Sequence, residues 1–278
     1  MVDFVSKPRY DVDDLKKLIS ILCGPEGCPW DREQTHESIC RNLLEEAYEA
    51  AEAIKDKNTE SLIEELGDVL MQVVFHADIA GRSDSFDLDD ITDATCKKLI
   101  RRHPHVFGDV RVKDDDESLM VWDDIKRKEK HHETTADAMR SVAHTLPALW
   151  QAEKIQKKAA KTGFDWPDYT GALDALRMEL AELEQAISAS LEDSGTTETK
   201  ASKYALEEEL GDLLFSAVNV SRFFDIDPES ALRRTCEKFI SRFTYVENNA
   251  KLLGKKLGDM TLDEMEALYQ KGKDSENR

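Results

Sequence analysis

Apolar residues recur along most of the chain at helical spacing. Leu43, Leu44, Ala47, Ala50, Ala51 and Ile54 form one stripe, and Leu62, Leu66, Val69, Leu70, Val73 and Val74 form another. Leu173, Leu176, Leu180, Leu183 and Ile187 make a third, and Leu206, Leu210, Leu213, Leu214 and Val218 a fourth. Pro25, Pro29, Pro104 and Pro167 fall between the stripes, where a helix must break. The pattern predicts an all-α protein. Leu191 to Lys203, rich in Ser, Thr and Glu, reads as an inter-helix loop, and residues 272–278 read as a flexible tail.

The chain also repeats itself. Glu64-Glu65-Leu66-Gly67-Asp68-Val69-Leu70 recurs as Glu208-Glu209-Leu210-Gly211-Asp212-Leu213-Leu214. Upstream of each lies a Glu-x-x-Glu pair, Glu46 and Glu49 first, Glu179 and Glu182 second. Downstream of each, a cysteine opens a basic segment: Cys96-Lys97-Lys98-Leu99-Ile100-Arg101-Arg102, and Cys236-Glu237-Lys238-Phe239-Ile240-Ser241-Arg242. A tryptophan precedes each unit, in Cys28-Pro29-Trp30-Asp31 and in Phe164-Asp165-Trp166-Pro167-Asp168. Four blocks in the same order predict two tandem copies of one helical domain, over residues 1–130 and 140–271. The polar stretch from Lys126 to Met139 lies between them as a linker or exposed helix end.

The spacing of the acidic residues suggests chemistry. Glu46 and Glu49 share a helix face, as do Glu65 and Asp68 on the next helix. The interval between Glu49 and Glu65 suffices to finish one helix, turn at Lys57-Asn58-Thr59 and return antiparallel. Four carboxylates then converge, and in the second copy Glu179 and Glu182 face Glu209 and Asp212. Placed among apolar positions that ought to be buried, such a set repels itself unless cations compensate. Oxygen donors without His or Cys suit Mg²⁺, with Mn²⁺ as substitute. A single acidic pair would be ordinary solvated helix surface; two pairs in the same order in two copies favour a metal site. Gly67 and Gly211, each costing a helix about 1 kcal/mol relative to Ala, suggest a close helix crossing beside the ligands. Lys98, Arg101 and Arg102, matched by Lys238 and Arg242, suit the far end of a polyphosphate. Trp30, Trp166 and Tyr269 can stack on a base, although anchoring is the commoner use of such rings. His103 and His105 flank a proline rather than share a helix face, which favours a turn role over metal ligation.

Composition narrows the partners. The 278 residues carry 38 Lys+Arg against 58 Asp+Glu, a net charge of −20. That balance rejects long nucleic acid and an anionic membrane surface, but admits a small anion arriving with metal. The five cysteines are odd in number and lack C-x-x-C spacing. This points to a reducing, cytoplasmic setting without disulfides or structural zinc. No apolar stretch is long enough to span a bilayer. A two-helix unit buries its apolar face poorly alone, so a homodimer is expected, although the two copies could also complete a bundle together.

These residues resemble the MazG family of nucleoside triphosphate pyrophosphohydrolases. The family pattern of Glu-Glu-x-x-Glu followed by Glu-x-x-Asp stands here as Glu45-Glu46-Ala47-Tyr48-Glu49 and Glu65-Leu66-Gly67-Asp68. Gly27-Cys28-Pro29-Trp30-Asp31, Gln34-Thr35, Arg101-Arg102-His103-Pro104-His105-Val106-Phe107 and Lys154-Ile155-Gln156-Lys157-Lys158 are similar to the family as well. The resemblance implies an all-α bundle built from two subunits, and hydrolysis of a nucleoside triphosphate, or its deoxy form, to monophosphate and pyrophosphate. It makes Glu45 the candidate for orienting the attacking water. One departure stands out: the second copy has Met178 at the position of that first Glu. A di-iron bundle would need paired Glu-x-x-His motifs, and the one such motif, Glu33 to His36, has no partner in the second copy. A non-enzymatic interaction protein that kept the bundle but lost turnover is the remaining rival.

Overall fold

The computed structural model describes residues 4–130, 133–193 and 200–276. Among them there are thirteen α-helices and one short 3₁₀ turn, and no strand. The chain divides into two compact units, Met1–Lys126 and Arg127–Arg278.

The first unit contains α1 (Val12–Cys23), α2 (Pro29–Arg32), α3 (Cys40–Lys55), α4 (Thr59–Gly81), α5 (Leu88–Arg102) and α6 (Pro104–Phe107), and α7 (Asp115–Glu129) runs across its end. The α3–α4 hairpin is its centre. The turn forms at Lys57, whose φ of 55° reverses the chain, and at Asn58, whose side chain accepts from the Ser61 amide and caps α4. The C-terminal half of α4 meets α1: Ile19, Cys23, Ile39, Val74 and Phe75 form a buried cluster, with Leu15, Leu22, Met71, Ile79 and Leu88 packed against it. The Cys-Pro-Trp-Asp block acquires its reason here. Cys28 N–H donates to the Leu22 carbonyl at 2.8 Å, and a Cβ on Gly27 would lie 2.2 Å from that same oxygen. Only glycine lets the chain fold back over the end of α1.

The second unit contains α8 (Thr135–Arg140), α9 (Ala148–Ala160), α10 (Tyr169–Asp193), α11 (Lys200–Arg222), α12 (Pro228–Leu252) and α13 (Leu262–Glu276). Its plan follows the first, with α10 and α11 as the hairpin, α9 against α11, and α12 after it. The caps correspond too: Asp87 caps α5, and Asp227 caps α12 while accepting from Trp150 Nε1 at 2.7 Å. The Phe164-to-Asp168 block is tied down by Asp165, which takes both terminal guanidinium nitrogens of Arg222, at 3.2 and 2.7 Å. The Arg222 side chain is only 9% exposed. Trp166 covers Gly171, where a Cβ would stand 2.5 Å from the indole.

Two boundaries differ from the sequence expectation. The Leu191–Lys203 segment is helical at both ends, since α10 runs to Asp193 and α11 starts at Lys200; 194–199 lie outside the described residues. Residues 272–276 are not a tail but the last turn of α13, with Gly272 buried where an added Cβ would stand 3.3 Å from Tyr245. Absence of a side chain at Gly272 lets α13 approach α12 there, a contact that local composition does not reveal. Residues 277–278 are outside the described residues.

Asp165 is the partner that the nearly buried Arg222 depends on. Asp165→Ala should lower unfolding free energy by about 2 kcal/mol, less than breaking a fully buried pair costs because Asp165 is partly exposed. Denaturant unfolding of the two chains measures the difference.

Candidate metal and nucleotide centre

Antiparallel packing of α3 and α4 brings Glu46, Glu49 and Glu65 together, with one carboxylate oxygen from each within 4.8 Å of the others. The α10–α11 hairpin makes the same set from Glu179, Glu182 and Glu209. The i, i+3 spacing supplies two members and the return helix supplies the third. Partial withdrawal from water, then repulsion from Asp68, Glu49 and Glu65, holds Glu46 above the usual carboxylate range. Glu65 is raised by the same withdrawal and by Glu49, Glu64 and Asp68. Glu179 and Glu209 are raised in the same way, with Glu182 and Asp212 the main repelling neighbours of each. Every repelling group named is a carboxylate. A hard divalent cation fits this donor set, because it removes the repulsion and accepts oxygen ligands.

Three carboxylates of each unit lie within 4.8 Å of one another, and Asp68 and Asp212, not among them, act on the sets through charge. The geometry corrects two expectations. The sets are not buried: Glu49 and Glu182 are exposed, and the other four members are half-buried. Gly67 and Gly211 make no close helix crossing among the described residues, where an added Cβ would meet nothing within 4 Å. The open face continues into apolar residues. Ile63 is 70% exposed, and Leu66, Leu70, Leu210 and Leu214 are also exposed. Beside the first set, a cavity of about 250 Å³ is lined by Glu49, Glu52, Ala53, Asp56, Asn58, Ser61 and Glu65.

Comparison with known proteins places this arrangement. The model of the MazG nucleotide pyrophosphohydrolase domain matches residues 34–107 and again 169–246. The chain belongs to the MazG nucleotide pyrophosphohydrolase family. A Thermotoga maritima protein named nucleoside triphosphate pyrophosphohydrolase/pyrophosphatase MazG is 42% identical over 94% of this chain and 95% of its own length. The Escherichia coli K12 nucleoside triphosphate pyrophosphohydrolase is 38% identical over 95% of this chain and 98% of its own. Bacillus subtilis YabN, an uncharacterized protein, is 42% identical over 97% of this chain, which spans 53% of YabN. Each matched segment of the family domain contains one carboxylate set and one basic helix.

The basic residues sit on α5 and α12 at corresponding positions: Lys98 with Lys238, and Arg102 with Arg242. The structure pairs the arginines with aromatic rings. Arg102 lies 5.0 Å from the centre of the Trp122 ring, and Lys126 lies 4.7 Å from it. Arg242 lies 5.8 Å from the centre of the Tyr269 ring, which packs on Phe239. Arg101 is exposed on α5. Trp122 and Lys126 escaped sequence reasoning, because α7 carries no block that repeats in α13. An aromatic on the helix after each basic segment was the available signal. Trp30 is 59% exposed at the start of α2, whereas Trp166 anchors the entry to α10. His103 Nδ1 meets the Leu99 carbonyl at 2.6 Å, and His105 Nε2 meets Ser118 Oγ at 3.2 Å, so both hold the turn between α5 and α7.

The raised carboxylates set a pH dependence. Their pKa values in the folded chain exceed the unfolded ones, so folding takes up protons as pH falls through that range. Above the range the ionised sets oppose folding, and a cation relieves that. Mg²⁺ should therefore raise the melting temperature near neutral pH, the added stability reaching about 2.7 kcal/mol at a hundredfold excess over Kd. The gain should vanish as pH falls through the raised carboxylate range, where protons replace the cation. Scanning calorimetry with and without Mg²⁺ across pH checks this.

Proposed function

We propose that this chain hydrolyses nucleoside triphosphates, or their deoxy forms, to monophosphate and pyrophosphate, with Mg²⁺ held by Glu46, Glu49 and Glu65, assisted by Asp68. The observation that supports it best is the same carboxylate set built twice on equivalent hairpins in a member of this family. A bound cation would supply charge neutralisation at the α-phosphate and a polarised water. The protein's own groups do the rest. Glu45, one position before Glu46 and one turn before Glu49, is the candidate for orienting the water. Lys98, Arg101 and Arg102 would bind the departing pyrophosphate, with Lys238 and Arg242 in the corresponding places and Tyr269 against the base. In the second unit, Glu179, Glu182 and Glu209, with Asp212, would hold the second cation; Mn²⁺ can replace Mg²⁺ at either.

A homodimer belongs to the same proposal. The exposed Leu66, Leu70, Leu210 and Leu214 adjoin the carboxylate sets, and Gly67 and Gly211 leave room for a helix to approach. No helix among the described residues is long and apolar enough to cross a membrane. With the acidic balance, this supports a cytoplasmic enzyme acting on free nucleotides in the absence of long nucleic acid.

Incubation with each common nucleoside triphosphate and Mg²⁺ should release pyrophosphate, and EDTA should abolish the release. No release with any base, in Mg²⁺ or Mn²⁺, overturns the assignment. For the dimer, Leu66→Asp with Leu210→Asp should shift sedimentation velocity toward the monomer while the circular dichroism stays helical. An unchanged sedimentation coefficient overturns that face as the interface.

A further inference from the structure

The two units share most of the groups proposed to hold a metal-bound polyphosphate, although Ser241 stands where the first unit has Arg101. Each has three converging carboxylates and an arginine over an aromatic ring of a later helix, α7 in the first unit and α13 in the second. They differ at one point on the helix that carries the Glu-x-x-Glu pair. In the first unit Glu45, next to Glu46 in the chain and one turn before Glu49, accepts from Arg41 Nε at 2.8 Å. In the second unit both members of that pair are gone: Met178 replaces the glutamate and Asp174 the arginine. Met178 is 62% exposed, and Asp174 is engaged with Arg177 at 2.6 Å.

Three nearby carboxylates, Asp174, Glu207 and Glu208, do not match the place of Glu45. Asp174 lies two turns before Glu182, about 12 Å along the axis. Glu208 corresponds to Glu64, which the first unit has in addition to Glu45. Glu207 precedes Glu209 by two positions and points to the other side of α11. The difference covers both members of the Arg41–Glu45 pair rather than a single residue.

We infer that the second unit is a nucleotide-holding site: it binds a nucleoside triphosphate with its divalent cation and does not turn it over, while the first unit hydrolyses. This rests on the reading of the two carboxylate sets under Proposed function. A carboxylate that orients the attacking water contributes roughly 10²-fold to the rate or more, whereas the three converging carboxylates, one lysine and one arginine are present in both units.

The test uses the full chain and an α,β-methylene nucleoside triphosphate, which binds but cannot be cleaved at that bridge, with Mn²⁺. Titration calorimetry should find two equivalents per wild-type chain, one in Glu49→Gln, one in Glu182→Gln and none in the double variant. Turnover of the natural nucleotide should fall about 10²-fold in Glu49→Gln. Adding Met178→Glu to Glu49→Gln should raise turnover again at least about tenfold, a fraction of that same effect. Glu49→Gln that keeps more than about a tenth of wild-type turnover overturns the inference, because the second unit then hydrolyses on its own. Glu49→Gln that binds no analogue overturns it too, because the second unit then holds nothing. Met178→Glu that leaves the Glu49→Gln rate unmoved overturns Met178 as the cause. A wild-type chain that hydrolyses nothing fails the enzymatic reading instead, and the analogue stoichiometry of Glu49→Gln still decides whether the second unit is a nucleotide site.

Discussion

Three carboxylates whose oxygens lie within 4.8 Å of one another repel, and each hairpin holds such a set in place without a cationic side chain among the groups that shift it. Other contacts must therefore fix the hairpins. In the first unit the opposite half of α4 does so, through Val74 and Phe75 buried against α1. In the second, Ser216 and Val218 are buried on α11, where Gln156 donates to the Phe215 carbonyl at 2.8 Å. The helices are long enough to separate the two tasks. One end is packed and pays for rigidity, while the other carries charge.

That separation explains why the carboxylate ends remain open. Burying the sets in the chain's own core would add desolvation to repulsion, and the acids would take up protons instead of a metal. Partial exposure leaves the oxygens available to a hydrated cation, which in such sites keeps some of its waters. It also leaves apolar side chains such as Ile63 and Leu66 uncovered next to the ligands. The same faces that admit a metal are thus the ones that invite a second helical surface.

Repetition gives the chain two versions of one scaffold, and the differences are local. The caps Asp87 and Asp227 match, as do the carboxylate sets and the arginines Arg102 and Arg242. The aromatic partner is Trp122 in one unit and Tyr269 in the other. The pair Arg41–Glu45 is present once. Duplicated scaffolds allow this, because each unit has its own core and a change at one surface leaves the packing of the other intact.

Much was legible in order and spacing. The helical stripes, the hairpin turn at Lys57-Asn58-Thr59, the repeat and the pairing of Glu46 and Glu49 with Glu65 all follow from period 3.6 and from which residues can turn a chain. Family membership was legible too, because the carboxylate and Arg-Arg-His-Pro-His-Val-Phe blocks are local strings. The tertiary structure decided what depends on distance across helices: which three carboxylates of each unit lie within 4.8 Å of one another, that Trp122 lies under Arg102, and that Gly272 lets α13 close on α12. It also decided that the stripes of α4 and α11 are buried at one end only. Periodicity records which face of a helix is apolar, but how much of that face is covered depends on where the neighbouring helix ends.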